Sequence, residues 1–283
     1  MAKYLSDHRN HHSLIHLYYI NIDILLKCTH KEISIMEKSI SLLNSIWYFI
    51  ISSLVIYFGL YYCIPITLTM GLPFLTGYLI FFYAPFALLL ITALILYRLE
   101  GNKWDWGFFT KRTRLTKLSR TDLLWATGLF IIGIIVYAGL SPVGNWLAKI
   151  SFFSPPDFFP AEINPNKSRI AGYMMDYKLS GQYWIIPVYF IGWFFNIFGE
   201  ELLWRGMLLP RQIKRYGSKA WVYHGIIWTF WHFFWTWNLL SIFPFAMALT
   251  YVSYKRQSTT IPIVSHGLMN LIPFIMIIIE VLK

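Results

Sequence analysis

Long apolar blocks alternate with short polar connections along most of the chain. The blocks run about Leu42 to Ile64, Phe74 to Tyr97, Leu123 to Ala148, Trp184 to Leu209, Ala220 to Leu240, Ile242 to Tyr254 and Thr260 to Leu282. About 20 apolar residues cross a bilayer as a helix, so six blocks are long enough and Ile242 to Tyr254 is short. Backbone in lipid must satisfy its own hydrogen bonds, and each block is therefore predicted as a helix. The expected fold is an all-α, polytopic integral membrane bundle of about six to eight transmembrane helices.

Composition agrees with that solvent. Of 283 residues, 57% are hydrophobic and 13% charged, whereas a soluble domain carries about a quarter charged residues. A water-soluble enzyme is excluded. The formal charge of +11 does not point to nucleic acid, because the basic residues gather in connections, where they mark the cytoplasmic side. The connection after the second block holds Arg98, Lys103, Lys111, Arg112, Arg114, Lys117 and Arg120 against Glu100 and Asp105. Arg211, Lys214, Arg215 and Lys219 follow the fourth block without an acid, and Lys255 with Arg256 marks a further inner turn. Between them, about 149–183 is a Pro-rich outer loop of nearly balanced charge, long enough to invite an interfacial helix.

Residues 1–40 are a polar extension, expected to be cytoplasmic, ahead of one integral membrane domain, 41–283. His8, His11, His12, His16 and His30 lack regular ligand spacing and are read as part of a weakly structured tail, not a metal tract. Cys28 and Cys63 are too few for a disulfide framework or a cysteine metal site. No internal repeat is evident.

Inside the last four blocks ionisable residues are rare: Glu200, Glu201 and Arg205 in one, His232 in the next, His266 in the last. Each acid or base near a helix centre costs roughly 2.5–3.5 kcal/mol on the translocon-derived scale, so each needs a compensating role. Glu201 and Arg205, four apart, share a helix face and are expected to pair. Glu200 and Arg205, five apart, diverge by about 140° on an ideal helix, leaving Glu200 the freer carboxylate. Gly192, Gly199 and Gly206 recur at sevens and allow close helix approach beside Glu200. Counting nine residues from Glu200 to Leu209 puts the site nearer the cytoplasmic face. His266 and Asn270, four apart, lie one above the other. His232 stands among aromatic residues, and His224, eight residues earlier, is read as structural or interfacial. A carboxylate and two imidazoles from three helices form a constellation for hydrolysis: Glu as base, His to position water or bind metal, Asn or His at the oxyanion.

The run Gly199-Glu200-Glu201-Leu202-Leu203-Trp204-Arg205-Gly206 resembles the first motif of the CPBP family, the type II CAAX prenyl endopeptidases and bacteriocin-processing proteins also called Abi proteins. Trp228-x-x-x-His232 approximates its second motif, Phe-x-x-x-His, and His266-x-x-x-Asn270 meets its third. The likeness covers about 184–282, expected to be the catalytic core. Trp228 in place of Phe keeps the aromatic wall but adds volume and an N–H donor.

The resemblance implies an intramembrane endopeptidase in which Glu200 and His232 activate water while His266 and Asn270 stabilise the oxyanion, with Glu201 and Arg205 supporting. It leaves zinc open as a cofactor: Glu200, His232 and His266 could supply three ligands with a position free for water. Implied partners are the lipid bilayer and a membrane-associated or prenylated peptide or protein, with no nucleic acid. The expected setting is the bacterial plasma membrane. A non-catalytic immunity or scaffold protein and a transporter are the competing readings. His-Glu-x-x-His, Gly-x-Ser-x-Gly and Gly-x-Gly-Asp are all absent, which disfavours other membrane-protease chemistries.

Overall fold

The computed structural model describes residues 37–283. The helix α1 (Leu42–Thr69) begins at Ser41, whose hydroxyl accepts from the Asn44 N–H. After a turn in which Gly71 adopts φ +78, α2 (Phe74–Leu99) returns. A short helix α3 (Trp106–Arg112) starts at Asp105, which accepts from the Phe108 N–H. The capping box between Ser119 and Asp122 then opens α4 (Arg120–Leu147). Next, α5 (Ile185–Glu201) continues without a break through a π-helical segment, Leu202–Leu208, into α6 (Leu209–Tyr216). Gly217 supplies the turn, at φ +56 and ψ −132, a conformation that side chains disfavour. The chain doubles back as α7 (Ala220–Trp231), so that His224 meets Gln212 across the turn. A 3-10 stretch, Phe233–Asn238, leads into α8 (Leu239–Arg256), and α9 (Thr260–Leu282) closes the bundle.

Six helical runs among the described residues are long and apolar enough to cross a membrane: Leu42–Thr69, Phe74–Leu99, Arg120–Leu147, Ile185–Trp231, Phe233–Arg256 and Thr260–Leu282. The protein is an all-helical, multi-pass membrane bundle. Leu124, Ile135 and Ile51 are 74%, 64% and 58% exposed to the outside of the bundle. Apolar surface on that scale needs lipid to cover it.

The two ends of the bundle differ. At one end the basic connections meet: the Thr259 N–H donates to Arg114 O, and the Ile40 N–H donates to Arg211 O. There Glu100, 1% exposed, accepts from Arg112 Nε and Nη2, both at 2.6 Å, and from Arg211 Nε at 2.8 Å. Arg112 also donates to Gly206 O at 3.0 Å. This buried cluster ties the connection after α2 to the π segment and α6. The other end carries 149–183, joined to the C-terminus by the Gly181 N–H donating to Val281 O.

Several expectations change. The short block Ile242 to Tyr254 is part of an 18-residue helix. Conversely, Ala220 to Leu240 is not one helix, since α7 stops at Trp231 and Trp235 leaves helical geometry at φ −121, ψ 57. The Pro-rich connection holds a 3-10 turn, Ser151–Phe153, and a ribbon of β1 (Tyr173–Met174) with β2 (Tyr177–Lys178), not an interfacial α-helix. Met174 pairs with Tyr177, and Met175 and Asp176 turn between them at φ +52 and +62, the twist that matches a two-residue hairpin. His8, His11, His12, His16, His30 and Cys28 lie outside the described residues.

Candidate active site

Glu200 lies mid-way along the run from Ile185 to Tyr216, about 22–24 Å from either end at 1.5 Å per residue. The helix does not end at Leu209 but runs on to Tyr216, through a stretch that carries Arg211, Lys214 and Arg215. The glycines make room for the site. A Cβ on Gly199 would lie 2.4 Å from the Phe86 carbonyl oxygen, and one on Gly192 would lie 2.8 Å from the Tyr83 ring. The α5 backbone therefore rests directly on α2.

Both oxygens of Glu200 are held. Asn196, one turn earlier, donates from Nδ2 to Oε1 at 2.9 Å, and Trp228 Nε1 donates to Oε2 at 3.0 Å. The N–H that distinguishes Trp228 from phenylalanine thus bonds the carboxylate directly. Glu201 faces a different partner set: its Oε1 accepts from Arg205 Nη1 at 3.2 Å and meets His266 Nδ1 at 2.8 Å. Glu201 and Arg205 are fully buried. The expected pairing is present, and Glu200 makes no ion pair with Arg205, although the helix between them is not ideal. A π segment begins at Leu202, and its i→i+5 geometry changes the angular relation between positions five apart. The Arg205 guanidinium sits 3.6 Å above the Trp228 ring, the same ring that bonds Glu200.

His232 is the C-cap of α7. Its Nδ1 lies 2.9 Å from Trp228 O. A carbonyl can only accept, so Nδ1 carries the proton and Nε2 of the neutral ring keeps its lone pair. His266 is oriented the same way, with Nδ1 on the Glu201 carboxylate. Asn270 donates from Nδ2 to His266 O at 3.3 Å and retains a second N–H. His224 is completely buried on Gln212, 2.7 Å away, which makes it structural and not interfacial.

Glu200, His232, His266 and Asn270 line one cavity of about 1110 Å³, together with Asn196 and Trp228. Glu201 and Arg205 are not in its wall; they stand behind, with Arg205 Nη2 also 3.4 Å from Thr250 Oγ1. Asn196 and Thr250 escaped the sequence reading. Asn196 carried a usable signal, a polar residue four before Glu200 in an apolar helix; Thr250 carried none. Among the described residues no three His, Cys, Asp or Glu side chains converge as a metal site. This donor set, as arranged, does not fit a zinc ion.

The fold and the cavity define a polytopic membrane protein with a carboxylate and two imidazoles lining one internal cavity. Residues 182–272 match the family described as type II CAAX prenyl endopeptidase Rce1-like, which supports the resemblance carried by the three motifs. No curated protein and no solved structure matches the chain.

Proposed function

We propose that this chain is an intramembrane endopeptidase that hydrolyses a peptide bond of a membrane-associated substrate. The observation that carries the reading is the single cavity shared by Glu200, His232, His266 and Asn270, within the segment that matches a peptidase family. Glu200, as carboxylate, takes a proton from a water that His232 Nε2 holds by accepting its other hydrogen. The water oxygen attacks the scissile carbonyl carbon, and the carbonyl oxygen becomes an oxyanion. His266, as the doubly protonated ring that gives Nδ1–H to Glu201 and turns Nε2–H to the cavity, and the spare Asn270 N–H donate to that oxyanion. Collapse of the tetrahedral intermediate breaks the C–N bond, and Glu200 returns its proton to the departing amine.

Glu201 acts through His266, fixing which ring nitrogen faces the cavity, as carboxylates do for catalytic histidines generally. Arg205 and Trp228 bind the two glutamates into one unit. The side chains do this work without any step through a metal.

Purified protein incubated with an apolar model peptide should cleave it, and Glu200→Gln should insert normally and abolish cleavage. Cleavage retained in Glu200→Gln would remove Glu200 as the base. Normal biological activity without cleavage would favour the binding or scaffold reading.

A further inference from the structure

The cavity wall is one-sided. From the active-site side chains its lining runs through Tyr189 and Tyr137 to Glu162, Lys167, Arg169 and Glu280, all toward the Pro-rich end. No residue of the connections 98–120, 211–219 or 255–256 lines it. Those three connections hold 13 Lys+Arg and 2 Asp+Glu, against 4 and 3 in 149–183. Short loops rich in Lys and Arg stay cytoplasmic. The cavity is therefore closed toward the end that these loops mark as cytoplasmic and extends to the opposite end, where 161–179 lines it.

We infer that the substrate is a peptide segment presented from the non-cytoplasmic face, entering beneath the 161–179 ribbon with an acidic group toward Arg169. The inference rests on the protease reading and names its substrate class. The charge at the mouth supports the acidic group. Glu162 accepts from the Met175 N–H at 3.0 Å, Glu280 pairs with Lys283 at 2.5 Å, and Lys167 reaches Asp157 O at 2.5 Å. Arg169, by contrast, is exposed and makes no hydrogen bond or ion pair among the described residues. A cytosolic prenylated C-terminus would meet the closed end. Peptide segments exposed on the outer side of the membrane meet the open one.

The test uses the full chain in sealed vesicles of both orientations and in detergent, with a membrane-impermeant fluorogenic peptide carrying an apolar stretch and a free C-terminal carboxylate. Cleavage in right-side-out but not inverted vesicles is expected. Cleavage only in inverted vesicles, or equally in both, overturns the inference while leaving the protease reading intact. Absence of cleavage in detergent as well defeats the protease reading itself, and the inference with it. Independently of activity, Ser168→Cys in a cysteine-free background should react with an impermeant maleimide in intact cells; protection there, with labelling only after lysis, overturns the orientation. Arg169→Gln should slow the carboxylate peptide roughly two- to fivefold, the size of a solvent-accessible ion pair, and leave its C-terminal amide unchanged. Equal effects on both peptides remove the acidic anchor.

Discussion

Replacing Gly199 by alanine probes the contact on which the site depends. The added Cβ would stand 2.4 Å from the Phe86 carbonyl oxygen, a backbone atom that no rotamer change can move. Ordinary contact needs about 3.5 Å, so α5 and α2 must separate by about 1 Å. Overpacking of this kind costs about 1–3 kcal/mol, against a gain of about 1 kcal/mol from alanine's helix propensity. Glu200 is the next residue, and a shift of about 1 Å in catalytic geometry can lower a rate on the order of 100-fold. Two sister substitutions calibrate the effect. At Gly192 the Cβ would be 2.8 Å from the Tyr83 ring, a side chain that can yield, and at Gly206 the nearest atom is 3.3 Å away. Thermal melting of the purified protein in detergent, with peptide cleavage measured in parallel, should rank Gly199→Ala as most damaging, Gly192→Ala intermediate and Gly206→Ala close to wild type. Gly199→Ala melting at or above wild type with full activity would refute the close-contact argument, as would equal damage at Gly206.

Other perturbations separate the roles of neighbouring residues. Trp228→Phe keeps a ring beneath Arg205 but removes the N–H that Glu200 accepts; a hydrogen bond to a charged group is worth about 1.5–3 kcal/mol. A fall in kcat/KM of roughly 10- to 100-fold together with a lowered melting temperature is expected, and unaltered kinetics would dismiss that bond from catalysis. Arg205→Met takes the arginine from buried Glu201 and leaves it His266 alone, at a cost of about 3–5 kcal/mol. The double variant Glu201→Gln/Arg205→Met should melt higher than Arg205→Met, and the reverse order would contradict the pairing. Chelation should leave cleavage intact, and purified protein should contain far less than one zinc per chain; stoichiometric zinc whose removal abolishes cleavage would require Glu200, His232 and His266 to close around an ion.

The sequence by itself determined the solvent, the helical class and the residues at stake. Apolar blocks of membrane length allow little but helices, and ionisable side chains inside them are so costly that Glu200, Glu201, Arg205, His232 and His266 stand out unaided. The Glu201–Arg205 pair was legible too, because four-residue spacing is a local property. Tertiary structure decided what local spacing cannot express. The π segment after Glu201 altered the assumed 3.6-residue period, and the break at Trp231 left His232 as a helix cap in the bundle interior. The Trp228–Glu200 and Glu201–His266 bonds join residues 28 and 65 apart, contacts that exist only once α5, α7 and α9 pack together. The direction in which the cavity opens likewise depends on how the Pro-rich connection folds over the bundle, which no pattern of polar and apolar positions encodes.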